Sequence, residues 1–144
     1  MKKVADILAQ KGRKVTTVTA GTAVIDALKI MAEQNIGSVM VMEEEKFLGI
    51  MTERDYSRKV ILKGKSSTDT TVGEIMSTHF PHITPRDTIE HCSQLLSENN
   101  IRYLPVFEED TICGIISSND VVKATIISQE ETITHLKEYF DANL

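Results

Sequence analysis

Two short runs hold the residue types best able to do chemistry, Gly49-Ile-Met-Thr52-Glu-Arg-Asp55 and Gly114-Ile-Ile-Ser117-Ser-Asn-Asp120. Each sets a hydroxyl at the end of an apolar, strand-like stretch. A carboxylate follows three residues later, in what would be the first turn of a helix. Unpaired backbone N–H groups at a helix start, joined by a Thr or Ser hydroxyl, make a site for an anion. The carboxyl edge of a strand is also where ligands bind in open α/β sheets. A purely structural account competes with this reading. Ser/Thr-x-x-Asp is close to a capping box, and an Asp in a first helical turn suits the helix dipole with no ligand at all. Basic residues follow each run, Arg54, Arg58 and Lys59 in the first and Lys123 in the second. Arg58 and Lys59 read equally well as solvated surface charges.

The two runs are parts of a longer repetition. Asn35-Ile36 returns as Asn100-Ile101, Val41 as Val106, Glu43-Glu44 as Glu108-Glu109 and Gly49-Ile50 as Gly114-Ile115, all in one register of 65 residues. Between the identities the character holds, with Met51 matching Ile116, Arg58 matching Lys123 and Ile61 matching Ile126. A second unit of the same plan implies matched grooves, and grooves between units are where small molecules bind.

The elements that would position the two corners follow from local pattern. Each unit reads as a leading segment, a strand, a helix, two strands and a closing helix. In the first, residues 15–18 are extended. Thr22 is placed to cap a helix whose apolar positions are Val24, Ala27, Leu28 and Met31, one buried face at helical spacing. Strands are predicted over 38–42 and 47–51 around an acidic turn, and a helix over 53–62 ends before Gly64. In the second, 81–84 is extended, and Asp87 with Glu90 suggests a capping box for a helix to about Glu98. Strands over 103–107 and 112–116 precede a helix over 118–127. The leading segments, Val4-Ala5-Asp6-Ile7-Leu8 and Val72-Gly73-Glu74-Ile75-Met76, match at an offset of 68. The first unit therefore has three extra residues in the loop holding Lys11, Gly12, Arg13 and Lys14, which is either a solvated basic loop or a phosphate-steering one. Residues 130–143 have no counterpart, and their Ile133, Leu136 and Phe140 suit a helix packed on the core or on a second subunit. The expected division is 1–64, 65–129 and a C-terminal amphipathic helix over 130–144.

Composition narrows the function. The 144 residues suffice for one ordinary domain, and half of them would be marginal alone. A net charge of −5 argues against general nucleic-acid binding, which needs a basic face. No stretch reaches the roughly 18 apolar residues of a membrane span, and the N-terminus lacks an apolar signal core, so a cytoplasmic location is expected. Cys92 and Cys113 stand where the sister unit has Ala27 and Leu48, which suits buried, reduced thiols. There is no nucleophile elbow, no P-loop and no His/Cys cluster at metal spacing, so neither an enzyme nor a required metal is expected. His82 stands opposite Thr17 at the mouth of the predicted groove, although an ordinary loop histidine accounts for it too.

With Val-x-x-Ile-Met, a Thr-rich strand, an amphipathic helix, a strand ending Leu-Pro-Val and a doubled Gly-x-x-Ser/Thr-x-x-Asp, the chain resembles a tandem pair of cystathionine-β-synthase (CBS) domains, the Bateman module, over Val4 to about Ile127. The resemblance implies an α/β (α+β) fold of two pseudo-symmetric repeats, each a small, mostly antiparallel sheet with two packed helices. It implies a regulatory module, like stand-alone bacterial two-CBS proteins, that binds AMP, ATP or NAD in clefts between the repeats and forms a homodimer, a flat four-unit disk. On this chain Asp55 and Asp120 would hold ribose, and Thr52 and Ser117 phosphate. Thr17, Val18, Ile36, Gly37 and Ser38 would wall one adenine, and His82, Ile83, Ile101, Arg102, Tyr103 and Pro105 the other. Arg54, Arg58, Lys59 and Asn119 complete the set. The first repeat has Met40 where the second has Pro105, and the second lacks the arginines of the first. A phosphate-rich ligand is therefore expected to favour the Thr52–Arg58 groove. A ligand-free dimerisation scaffold, in which both Asp residues only cap helices, is the alternative.

Overall fold

The computed structural model describes residues 2–143. Its two compact units do not follow the repeat in sequence. One comprises Met1–Arg13 with Pro81–Leu144, the other Lys14–Phe80. Each leading segment thus belongs to the unit built mainly from the other repeat.

In the unit of Lys14–Phe80, β1 (Thr17–Val18) pairs parallel with β2 (Ser38–Glu43), which pairs antiparallel with β3 (Lys46–Thr52). Helix α2 (Val24–Gln34) buries Val24, Ala27 and Met31, the face that its spacing predicts. Thr22 does not cap it. The N-cap is Ala23, and the Thr22 hydroxyl instead accepts from the Thr19 backbone N–H, closing the turn before the helix. Helix α3 (Glu53–Tyr56) runs into a π-helical turn, Ser57–Ile61. The leading segment forms α4 (Val72–Ile75), whose Val72 and Ile75 enter the same core as Val39, Val41, Met51 and Val60.

In the other unit, α1 (Val4–Lys11) contributes Val4, Ile7 and Leu8 to a core with Ile89, Cys92, Leu104, Val106, Ile116 and Val121. Helix α5 (Ile89–Asn99) is capped by Thr88, whose hydroxyl accepts from His91 N–H. The expected Asp87–Glu90 box does not form, because the Asp87 carboxylate accepts from the Thr84 N–H upstream. Strands β4 (Tyr103–Glu108) and β5 (Thr111–Ser117) form an antiparallel pair, and residues 81–84 add only a parallel bridge from Ile83 to Val106. The two expected C-terminal helices are one, α6 (Ser118–Ala142), since nothing at Ser128 interrupts the backbone. Its part beyond Ser128 does not pack on the core, as residues 129–143 are all exposed.

The identities between the repeats mark backbone needs. Asn35 and Asn100 end α2 and α5 in the left-handed conformation, at φ 54° and 51°. The following Ile36 and Ile101 N–H groups then donate to Met31 and Leu96, as in a Schellman closure. Gly49 and Gly114 sit where the leading segments cross. A Cβ on Gly49 would lie 2.5 Å from the Ser77 carbonyl oxygen, and one on Gly114 2.9 Å from Leu8 Cδ2. Cys92 is fully buried and Cys113 half-buried, both as free thiols. Burial pushes the Cys92 thiol up to about 11.

Candidate functional site

Each strand pair brings the hydroxyl and the carboxylate of its run together by the same local rule. Thr52 and Ser117 close their strands in extended conformation, with ψ of 165° and 164°, and become N-caps of α3 and α6. The Asp55 N–H donates to Thr52 Oγ1 at 3.1 Å, and the Thr52 N–H donates back to Asp55 Oδ2 at 3.0 Å. The Asp120 N–H donates to Ser117 Oγ at 3.1 Å, and the Ser117 N–H to Asp120 Oδ2 at 2.8 Å. Both corners are therefore capping boxes with Asp in the third helical position.

Around these matched boxes the surroundings differ. At the first corner, Thr52 Oγ1 also donates to Asp55 Oδ2 at 3.0 Å. Ser77 Oγ donates to Oδ1 at 2.7 Å, and Lys59 Nζ lies 2.9 Å from the same oxygen. Lys59, brought round by the π-helical turn, also donates to the Ile75 carbonyl at 2.8 Å. Both oxygens of Asp55 are engaged, and its side chain is 5% exposed. At the second corner Lys11, at the end of α1, donates to Asp120 Oδ2 at 2.7 Å and to the Ile115 carbonyl at 3.1 Å. The bonds to Asp120 all fall on Oδ2, and its side chain is 19% exposed. Burial pushes the Asp120 carboxyl up, but the Lys11 hydrogen bond, the Ser117 N–H and the Lys11 charge together outweigh it, so the group sits below the ordinary aspartate value.

The remaining site residues gather around the corners unevenly. Ser38 stands opposite Thr52 across the β2–β3 ladder, and the Gly37 carbonyl accepts from Glu53 N–H at 3.2 Å. Thr17 pairs with Met40 at the neighbouring strand, while Val18 is buried in the core. Ile36 is half-buried, Arg54 is half-buried beside its cap, and Arg58 is exposed. In the other unit Tyr103 stands opposite Ser117, and the Arg102 carbonyl accepts from Ser118 N–H at 2.8 Å. His82 is exposed and stacks on Phe107 with ring centroids 4.3 Å apart. Ile83 and Pro105 are buried, Ile101 is half-buried, and Asn119 is exposed next to Asp120. Val18 and Ile83 can therefore face a ligand only through backbone. Reading the sequence missed Ser77 and the Lys11 ammonium as donors to the two carboxylates. The surplus of residues in the basic loop was the signal for Lys11, whereas Ser77 had none beyond following a matched segment. Arg13 from the same loop pairs with Glu108 at 2.8 Å.

A polar cleft of about 380 Å³ lies elsewhere, lined by Lys2, Asp6, Ser128, Glu131, Thr132 and His135, and takes in none of these site residues. Among the described residues no group of three or more His, Cys, Asp or Glu side chains could hold a metal ion. No helix of the described residues is long and apolar enough to cross a membrane.

Comparison with known proteins agrees with the repeat and the fold. The chain is 34% identical over 145 residues to the Arabidopsis thaliana CBS domain-containing protein CBSX3, mitochondrial, covering 94% of this chain and 70% of that one. Against the CBS domain-containing protein YhcV of Bacillus subtilis it is 30% identical over 108 residues, covering 75% and 76%. A solved CBS-domain protein from Burkholderia ambifaria MC40-6 superposes with a TM-score of 0.85 at 41% identity, covering 89% of this chain and 96% of that one. A hexameric CBS-CP12 protein from bloom-forming cyanobacteria superposes at 0.73 with 29% identity, over 85% and 70%. The sequence model of the CBS domain matches twice, at residues 4–61 and 72–127, and the chain belongs to the CBS-domain family as a tandem pair.

Proposed function

We propose that this CBS pair is a regulatory module that binds an adenosine-containing ligand (AMP, ATP or NAD), foremost at the Ser117–Asp120 corner. CBS-domain proteins of this kind are generally regulatory rather than catalytic. The observation that carries the reading is the state of Asp120. The bonds it accepts converge on Oδ2, its side chain is partly open, and a lysine ammonium lies 2.7 Å away. Oδ1 is then the oxygen to accept from a ribose cis-diol. Lys11 and the Ser117 hydroxyl supply the cation and donor a phosphate needs. Tyr103, Ile101 and the His82–Phe107 stack are the surfaces suited to a flat base. At the first corner a ribose would have to displace Ser77 or Lys59 from Asp55. The preference expected from its arginines is thus opposed by a carboxylate already saturated. That saturation favours the scaffold reading for the first corner, where Asp55 serves the cap and the packing of Ser77.

Titration calorimetry with AMP, ATP, NAD and S-adenosylmethionine tests this. Asp120→Ala is expected to weaken the binding of the preferred ligand by at least about tenfold, the loss of a charge-assisted hydrogen bond. Asp55→Ala leaves the stronger site in place. Wild-type protein that takes up none of the four ligands, or equal affinity in Asp120→Ala, would leave the scaffold as the function.

A further inference from the structure

Helix α6 carries an apolar stripe that the core does not use. Its core side is Val121, with Ala124, Thr125 and Ser128 half-buried along the same face. About a quarter turn away, Val122, Ile126, Ile133, Leu136 and Phe140 are each between 49% and 62% exposed. From Ile126 the seam reads Ile126, Gln129, Ile133, Leu136, Phe140, Asn143, alternating steps of three and four. That is the spacing of a coiled-coil seam, with one polar residue inside it to fix the register.

The flanking charges indicate what covers it. One flank carries Lys123, Glu130 and Lys137, and the other carries Thr125, Thr132 and Tyr139. In a parallel pair the charged flank would meet the uncharged one and gain nothing. In an antiparallel pair of two copies each flank meets itself. Setting Ile133 on Leu136 of the second copy puts Phe140 on Gln129 and Ile126 on Asn143. It also brings Glu130 against Lys137 on both sides of the two-fold axis. Sliding by a heptad stacks Ile126 on Leu136, but sets Lys123 against Lys137 and Glu130 against its own copy, which repel. The favoured register overlaps residues 126–143, which takes in all of α6 beyond Ser128, the part that the chain leaves solvated, and its C-cap Asn143.

We propose that two copies of this chain join through an antiparallel pair of α6 tails centred between Thr134 and His135, with Glu130 of each facing Lys137 of the other. This is independent of nucleotide binding, which can be measured on the same variants. The test is sedimentation equilibrium of the full chain at low salt. Wild type is expected to dimerise, and Glu130→Lys or Lys137→Glu alone to weaken the dimer about tenfold by turning two attractions into repulsions. The double swap Glu130→Lys with Lys137→Glu is expected to return within about twofold of wild type. A monomeric wild type, single variants that associate as wild type does, or a double swap that stays weak overturns the proposal. So does a Lys137→Glu variant that binds itself more tightly, since that is the signature of the slid register.

Discussion

At Asp55 and Asp120 one residue type at one position of a repeat meets two environments. Asp55 is held by Thr52, Ser77 and Lys59 and is nearly sealed, whereas Asp120 shares Oδ2 between Ser117 and Lys11. The two carboxylates should therefore part company under mutation. Asp55→Ala removes a cap and strands the half-buried Ser77 hydroxyl and the Lys59 ammonium, so chemical denaturation should show a loss of about 2 kcal/mol or more. Asp120→Ala loses a cap at a more open site, and about 1 kcal/mol is expected. The lowered Asp120 carboxyl contributes stability that is present above the ordinary aspartate range and lost as the pH falls through its lower folded value. Lys11→Met removes both the hydrogen bond and the charge that lower the Asp120 carboxyl and so raises that folded value. Its denaturation midpoint, followed between about pH 7 and pH 3, should therefore fall less with acid than that of wild type. The hydroxyl-carboxylate pair was legible in the sequence because a capping box is a local pattern. Its third partners were not, since Lys11 reaches Asp120 across 109 positions and Ser77 reaches Asp55 across 22.

Among the elements, the closing strand of each repeat shows why a glycine recurs there. Gly49 faces a backbone carbonyl and Gly114 a leucine methyl, so the same substitution should cost unequally. Gly49→Ala drives a Cβ against Ser77 O and should lower stability by about 2 kcal/mol or more, whereas Gly114→Ala asks only Leu8 to shift and should cost less. Thermal melts of the two variants side by side check the order, and equal losses would contradict it. Helix periodicity foretold α2, and short β-branched runs foretold the strand pairs, because those faces bury what they advertise. The caps at Thr22 and Asp87 were misplaced by a residue. Their side chains had a competing backbone N–H upstream, which spacing alone does not weigh. The break expected at Ser128 failed for another reason. A loss of core contact ends burial without ending a helix whose residues still favour it.

For the whole molecule, the two cores cut across the repeats. Residues 14–80 hold every member of one core, so that fragment should unfold cooperatively alone, whereas 1–64 lacks Val72 and Ile75 and should not. The other core is split in sequence. A fragment of 81–144 should gain helicity and a sharper melt when a peptide of residues 2–13 is added, because that peptide restores Val4, Ile7 and Leu8. Circular dichroism of the separate and mixed fragments reads both outcomes. The repeat itself was visible from the residues, as was the family resemblance that it carried. The exchange of leading segments was not, because both are apolar helices of similar pattern and either could serve either core.

That exchange sets an order on the growing chain. Helix α1 leaves the ribosome before the middle portion, yet its partners include Val121, which is made only after that portion is complete. The middle portion has all it needs as soon as Phe80 is clear, and can settle while synthesis continues. Until Val121 follows, Val4, Ile7 and Leu8 wait in solvent as an unsatisfied apolar ridge, a span of nascent chain that a chaperone could cover.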